Sequence, residues 1–206
     1  MTSPTYYEFF AGGGMARAGF GEDWTCVFAN DVDASKAASY RANWGDADFR
    51  LADIATLRAE DLPGRADLAW ASFPCQDLSL AGAGRGLRGA RSGLFFSFCR
   101  LIGELRAQAR APRILALENV VGLLTSHGGA DFVAVVETLA DLGYRVGALT
   151  IDAALFVPQS RPRVFIVALR DDCAPPAGLL GEAPEDWATS PALRRAAVGV
   201  RGGAAA

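Results

Sequence analysis

The sequence predicts an α/β protein built on a doubly wound, mostly parallel sheet, and three observations carry that expectation. Short apolar runs of strand composition alternate along the chain with segments whose apolar residues recur at helical spacing. The runs are nearly all apolar rather than alternating, as strands covered on both faces require. No internal repeat interrupts the alternation.

Taken in order, strands are expected at Tyr6–Phe10, Thr25–Asn30, Phe49–Leu51, Leu68–Phe73, Ile114–Glu118, Arg145–Ile151 and Arg163–Leu169. A helix follows the glycine-rich turn at Gly12–Gly14. Leu94, Phe95, Phe98, Leu101, Ile102 and Leu105 mark a second helix, and Phe132, Val135, Val136, Leu139 and Leu142 a third. Such stripes are ordinarily core, packed on the sheet. After Arg170 the chain becomes rich in Ala, Pro and Gly and loses periodicity, so residues 171–206 are expected to form a loose tail beyond a domain of residues 1–170.

Composition narrows the chemistry. The 206 residues are one domain's worth, enough for a sizeable core. No run approaches the roughly 18 consecutive apolar residues of a membrane span, and the first residues lack a basic region followed by an apolar stretch. A cytoplasmic protein with no membrane partner is expected. Four cysteines lie far apart without a C-x-x-C pair, and His127 is the one histidine. Zinc knuckles, disulfide frameworks, histidine-based triads and poly-His metal sites are thereby disfavoured, and no metal is expected. The net charge of −3 is unevenly distributed, because residues 85–170 carry 11 basic and 6 acidic groups while residues 1–84 carry 6 and 12. That pattern argues against a sprawling electrostatic nucleic-acid surface but allows a local basic cleft. Lys36 is the sole lysine; every other cation is arginine, which suits phosphate forks.

Several polar punctuations fall at expected strand ends. Phe10-Ala11-Gly12-Gly13-Gly14 lies between a strand and a helix, where a glycine turn lets the backbone approach a nucleotide-like ligand. Asp31, about 20 residues on, ends the second strand, where an acid can accept from ribose hydroxyls. This pair alone does not separate a dinucleotide cofactor from S-adenosyl-L-methionine. Asp53-Ile54 ends the third strand, and there an Asp either meets an adenine amino group, with Ile54 on the ring, or caps a helix. Ser72-Phe73-Pro74-Cys75-Gln76-Asp77-Leu78-Ser79 follows the fourth strand. A cysteine at the carboxyl end of a parallel strand is well placed for a lowered thiol pKa, although a lone Cys is more often a small core residue. Residues 81–93 hold five Gly and three Arg, Arg85, Arg88 and Arg91, and read as a loop able to close over a polyanion or as a surface linker. Glu118-Asn119 ends an apolar strand, a setting that suits a carboxyl holding or donating a proton, or a helix cap. Gln159, Arg161 and Arg163 precede the last strand and offer an amide and two guanidinium forks.

As an ordered set these motifs resemble the cytosine-C5 methyltransferases of nucleic acids. The match runs from about Tyr6 to Leu169 and comprises FAGGG, the ND acid, DI, PCQ-x-x-S, the Gly/Arg loop ending in Arg91-Ser92-Gly93-Leu94-Phe95, ENV and Q-x-R-x-R. One departure is Met15, which stands where the family often has Gly. The resemblance implies a Rossmann-like sheet of the S-adenosylmethionine-dependent type, truncated after the cofactor and catalytic region. It further implies a cofactor pocket shaped by Phe10, Ala11, Gly12, Gly14, Asp31, Val32, Asp53, Ile54, Phe73 and Pro74. Cys75 would be the nucleophile that adds to C6 of a flipped cytosine, with Glu118 at N3 and Arg163 and Arg161 steadying the base. Carbon C5, made nucleophilic by that addition, would then attack the sulfonium methyl. Gln76 and Asn119 fall beside the catalytic groups, and Ser79, Arg85, Arg88, Arg91 and Gln159 on the substrate side.

The family normally continues with a target-recognition region and two further motifs, including a Gly-Asn pair that this sequence does not contain. The expected activity is therefore DNA (cytosine-5-)-methyltransfer of a restriction-modification kind, with DNA as partner, carried out by a chain that lacks its recognition region. A split enzyme completed by a second chain, a non-catalytic S-adenosylmethionine-binding protein and an RNA cytosine methylase are the alternatives. A nicotinamide dehydrogenase explains neither PCQ nor ENV.

Overall fold

The computed structural model describes residues 3–74, 93–175 and 189–200. Their strands are β1 (Thr5–Phe9), β2 (Thr25–Asp31), β3 (Phe49–Leu51), β4 (Leu68–Ala71), β5 (Ile114–Val120), β6 (Tyr144–Asp152) and β7 (Pro162–Arg170). The helices are α1 (Met15–Phe20), α2 (Ala34–Trp44), α3 (Leu94–Ala107), α4 (Ala130–Asp141) and α5 (Pro191–Val198). All seven expected strands are present, and the fold is α/β with a mixed, mostly parallel sheet. The described residues form two compact units, one of residues 3–73 and 94–116, the other of residues 74, 93, 117–175 and 189–200.

In the first unit the strands are ordered β3-β2-β1-β4-β5. β1 pairs in parallel with β2 and β4, and β2 with β3, so their carboxyl ends align: Phe9 faces Asn30, and Asp31 faces Leu51. One face buries Tyr6, Cys26, Ala37, Tyr40 and Phe49 in a shared cluster. The other face receives α3, whose Phe98 meets Phe9 edge-on at 5.4 Å between centroids. α3 buries Phe95, Phe98, Leu101, Ile102 and Leu105, the stripe its periodicity indicates. Helix α2 is missing from the sequence expectation because it buries only Ala37 and Tyr40 and has no apolar stripe. It is started instead by Asp33, whose carboxylate accepts from the Ser35 and Lys36 amides at 2.8 and 3.2 Å.

In the second unit the order is β5-β7-β6, and β6 and β7 form an antiparallel pair from Tyr144↔Arg170 to Asp152↔Pro162. α4 buries Phe132, Val135, Val136 and Leu139. The segment after Arg170, expected to be loose, contains α5: Ser190 caps it by accepting from the Leu193 amide, Pro191 opens it, and Leu193 and Ala196 are buried. It packs on α4. Eight residues with Pro at the first helical position are too short to announce themselves by periodicity.

Candidate active site

The first unit gathers the motifs expected at the cofactor. β1 stops one residue before the expected Phe10, because Phe10 takes a left-handed φ of 58° and turns the chain out of the sheet. Gly12 and Gly14 follow with φ of 58° and 84°. At Gly14 the need for glycine is double, since a Cβ there would lie 2.2 Å from Trp44 Nε1. Among the described residues a Cβ on Gly12 would meet nothing within 4 Å, so that backbone borders open space there. The loop is tied to the neighbouring strand by the Ala11 amide donating to the Asn30 carbonyl at 2.9 Å. Asp31 then binds it by side chain: Oδ2 accepts from the Gly12 amide and Oδ1 from the Asp33 amide, each at 2.9 Å. Val32, directly after, is 65% exposed.

Asp53 and Ile54 follow β3. Asp53 Oδ1 accepts from the Ala55 amide at 2.9 Å, so the carboxylate does cap a turn, while Ile54 is buried at 2% exposure. Arg100 of α3 holds this turn from beneath, donating to the carbonyls of Ile54 at 3.3 Å and Leu57 at 2.8 Å. Phe73 is buried against Phe95, and Pro74 is exposed. Glu8, inside β1, is a group the sequence motifs did not single out. Glu8 is 1% exposed, and among the described residues neither carboxylate oxygen has a hydrogen-bond partner. Burial pushes its pKa up to about 7, against the opposing pull of Arg17.

The second unit holds the carboxylate and guanidinium expected at the base. β5 continues past Glu118 to Val120, so Glu118 sits within the strand rather than at its end; the inward alternation Leu115, Leu117, Asn119 carries the ladder on. Glu118 Oε1 meets Arg163 Nε at 2.7 Å, with about a fifth of each side chain exposed. Its surroundings are thus ionic rather than purely apolar. Arg163 Nη1 also donates to the Pro162 carbonyl at 2.8 Å. Among the described residues Arg163, and not Arg161, is the partner of Glu118. Arg161 is engaged through its main chain, its amide donating to Asp152 Oδ1 at 2.6 Å. Asn119 is buried and its Oδ1 accepts from the Val120 amide at 2.9 Å, and Gln159 is exposed. Cys75, Gln76, Ser79, Arg85, Arg88 and Arg91 lie outside the described residues.

Sequence comparison extends this picture. Residues 5–191 match the family model of C-5 cytosine-specific DNA methylases. The chain is 35% identical over 170 residues to the type II methyltransferase M.BsuFI of Bacillus subtilis, covering 82% of this chain and 40% of that protein. It is 36% identical over 168 residues to M.NgoBI of Neisseria gonorrhoeae, covering 80% and 50%. It thus spans half or less of the length of these relatives. Among solved structures, the S. pombe Dnmt2 methyltransferase superposes with a TM-score of 0.65 at 22% identity, covering 84% of this chain and 52% of that one. The Entamoeba histolytica methyltransferase EhMeth superposes with a TM-score of 0.62 at 18% identity, covering 82% and 53%, and both likenesses establish the fold. With FAGGG, PCQ, ENV and Q-x-R-x-R all inside the matched span, the chain belongs to the C-5 cytosine-specific DNA methylase family.

Proposed function

We propose that this chain carries the cofactor and catalytic part of a DNA (cytosine-5-)-methyltransferase. The observation that bears most weight is the 2.7 Å pairing of Glu118 with Arg163, two side chains far apart in sequence that meet within the family-matched span. Held this way, the Glu118 carboxyl is oriented by a charged fork and left partly accessible, as a group that must address a ring nitrogen requires.

The residues of the first unit fit S-adenosylmethionine. Among the described residues the Gly12 backbone borders open space, the Asp31 carboxylate retains acceptor capacity beyond its two amides, and Val32 offers an exposed apolar face. Asp31 would take the ribose hydroxyls, and Asp53 the adenine amino group. Val32, rather than the buried Ile54, would lie against the ring. When bound, the cofactor supplies an electrophilic methyl group on a sulfonium.

Cys75 would add as thiolate to C6 of an extruded cytosine. The electron pair displaced from the C5–C6 bond makes C5 nucleophilic, and Glu118 offsets the charge that develops at N3. Formation of the C5–methyl bond breaks the sulfonium–methyl bond. Loss of the C5 proton to a base then expels the Cys75 thiolate and restores the aromatic ring. The chain spans half or less of its relatives' length, and on the split-enzyme reading a second chain would read the target sequence.

The test is methyl transfer from labelled S-adenosylmethionine to mixed-sequence DNA, together with covalent capture of a 5-fluorocytosine oligonucleotide. Wild type is expected to capture the oligonucleotide, Cys75→Ser to fail while still binding the cofactor, and Glu118→Gln to capture far more slowly. Equal capture by wild type and Cys75→Ser would remove the covalent mechanism.

A further inference from the structure

We propose that Asp152 is a positioning residue that sets the Arg163 guanidinium against Glu118. The proposal rests on the base-handling role given to that pair and adds a residue to it. Asp152 ends β6 and pairs in register with Pro162, the first residue of β7. This is a non-hydrogen-bonded pair of the ladder, and just beyond it the Ala153 amide donates to the Arg161 carbonyl at 3.4 Å.

The Asp152 carboxylate adds three bonds to this end of the hairpin. Oδ1 accepts from the Ala154 amide at 3.0 Å and the Arg161 amide at 2.6 Å, and Oδ2 accepts from the Ser160 hydroxyl at 2.9 Å. One exposed side chain thereby joins both ends of the connection between the strands. These donors, the Ala154 and Arg161 amides foremost, hold its carboxyl below the ordinary carboxylate range.

From Arg161 the constraint passes along the main chain. With the Arg161 amide held by Asp152, its carbonyl bonded to the Ala153 amide at 3.4 Å and the φ of Pro162 fixed by its ring, few main-chain rotations remain before the Pro162 carbonyl. That carbonyl accepts from Arg163 Nη1 at 2.8 Å, while Arg163 Nε meets Glu118 Oε1 at 2.7 Å. The fork is held at two points, and Asp152 governs one of them. Without its carboxylate this end is left with the 3.4 Å Ala153–Arg161 bond, the main chain before Arg163 loosens, and the guanidinium loses its fixed approach to Glu118.

The experiment follows the Arg163 Nε–H resonance in the 15N-labelled full chain, assigned by its loss in Arg163→Lys. Bonded to a carboxylate, this proton is displaced downfield and exchanges slowly. Asp152→Ala and Glu118→Gln are both expected to move it to the position of the free arginines, with the backbone amide spectrum otherwise preserved. Asp152→Asn keeps an acceptor at Oδ1 and is expected to retain most of the displacement. Asp152→Ser, whose hydroxyl reaches the Ala154 amide but not that of Arg161, is expected to behave as alanine does and serves where alanine does not fold. A wild-type Arg163 resonance in Asp152→Ala or Asp152→Ser overturns the proposal, and so does equal loss in Asp152→Asn. In methyl transfer, Asp152→Ala is expected to lower kcat about tenfold or more, with KM little changed. Equal transfer by wild type and Glu118→Gln would end the base-handling reading, while the resonance still decides what Asp152 does.

Discussion

Asp31 Oδ2 accepts the Gly12 amide at 2.9 Å, so the carboxylate that ends β2 is bonded to the loop that ends β1. Its other oxygen holds the Asp33 amide at the entrance to α2. Asp31→Ala removes the acceptor of both amides, and hydrogen bonds to a charged group are worth about 1.5–3 kcal/mol each. Calorimetric affinity for S-adenosylmethionine is expected to fall by roughly ten- to a hundredfold. Unchanged affinity would remove Asp31 from the cofactor site.

Gly14 and Gly13 form an internal control. Gly14→Ala places a Cβ 2.2 Å from Trp44 Nε1 at a φ of 84°, whereas a Cβ on Gly13 meets only Ser39 Cβ at 3.7 Å. Strain and overpacking together are expected to cost Gly14→Ala roughly 2–5 kcal/mol. Gly13→Ala is expected to stay within about 0.5–1 kcal/mol of wild type. Chemical denaturation of the two variants checks this, and equal destabilisation would contradict it.

Glu8 makes stability depend on pH. Its folded pKa is about 7 against an ordinary 4.5, so below pH 4.5 folded and unfolded chains both carry the proton and the contribution is fully present. Between those values the unfolded chain releases its proton while the folded chain keeps it, and stability is lost as pH rises to about 7. The loss is on the order of 3 kcal/mol at 1.36 kcal/mol per pKa unit. Tyr6 on β1, Cys26 on β2, Arg17 on α1 and Tyr40 on α2 are the titratable groups around it. Glu8→Gln is expected to gain stability over wild type between pH 5 and pH 8. A difference in melting temperature that is the same at both pH values would refute the assignment.

Arg100 supports the turn of Asp53 and Ile54 through main-chain carbonyls. Arg100→Ala removes the donor of the part-buried Leu57 carbonyl, at about 1–3 kcal/mol, while the Ile54 carbonyl keeps the Leu57 amide at 3.3 Å. Thermal melting should show that loss. Cofactor affinity should weaken with it, and a variant as stable as wild type would assign the Leu57 carbonyl another donor.

The site was partly legible in the residue order. Phe10 to Gly14, Asp31 and Asp53 announce themselves because a glycine turn and an acid at a strand end need few residues and little context. Arg163 and Glu118 were each visible as a motif, but their pairing was not, since 44 intervening positions carry no signal of approach. Helix α2 was not expected because a cap, not a stripe, begins it. Asp152 could have been noticed as an acid closing a strand, yet its place beside the start of β7 exists only once the hairpin register is set.

By itself the sequence determined the alternation of strands and helices, the apolar faces of α3 and α4, and the family, because periodicity and local motifs are written in neighbouring residues. Tertiary structure alone decided that Glu8 lies buried, that Arg163 rather than Arg161 meets Glu118, and that Ile54 turns inward while Val32 stays exposed. Those outcomes depend on which strands lie side by side and in which register, and a one-residue slip along a strand reverses the face each side chain occupies.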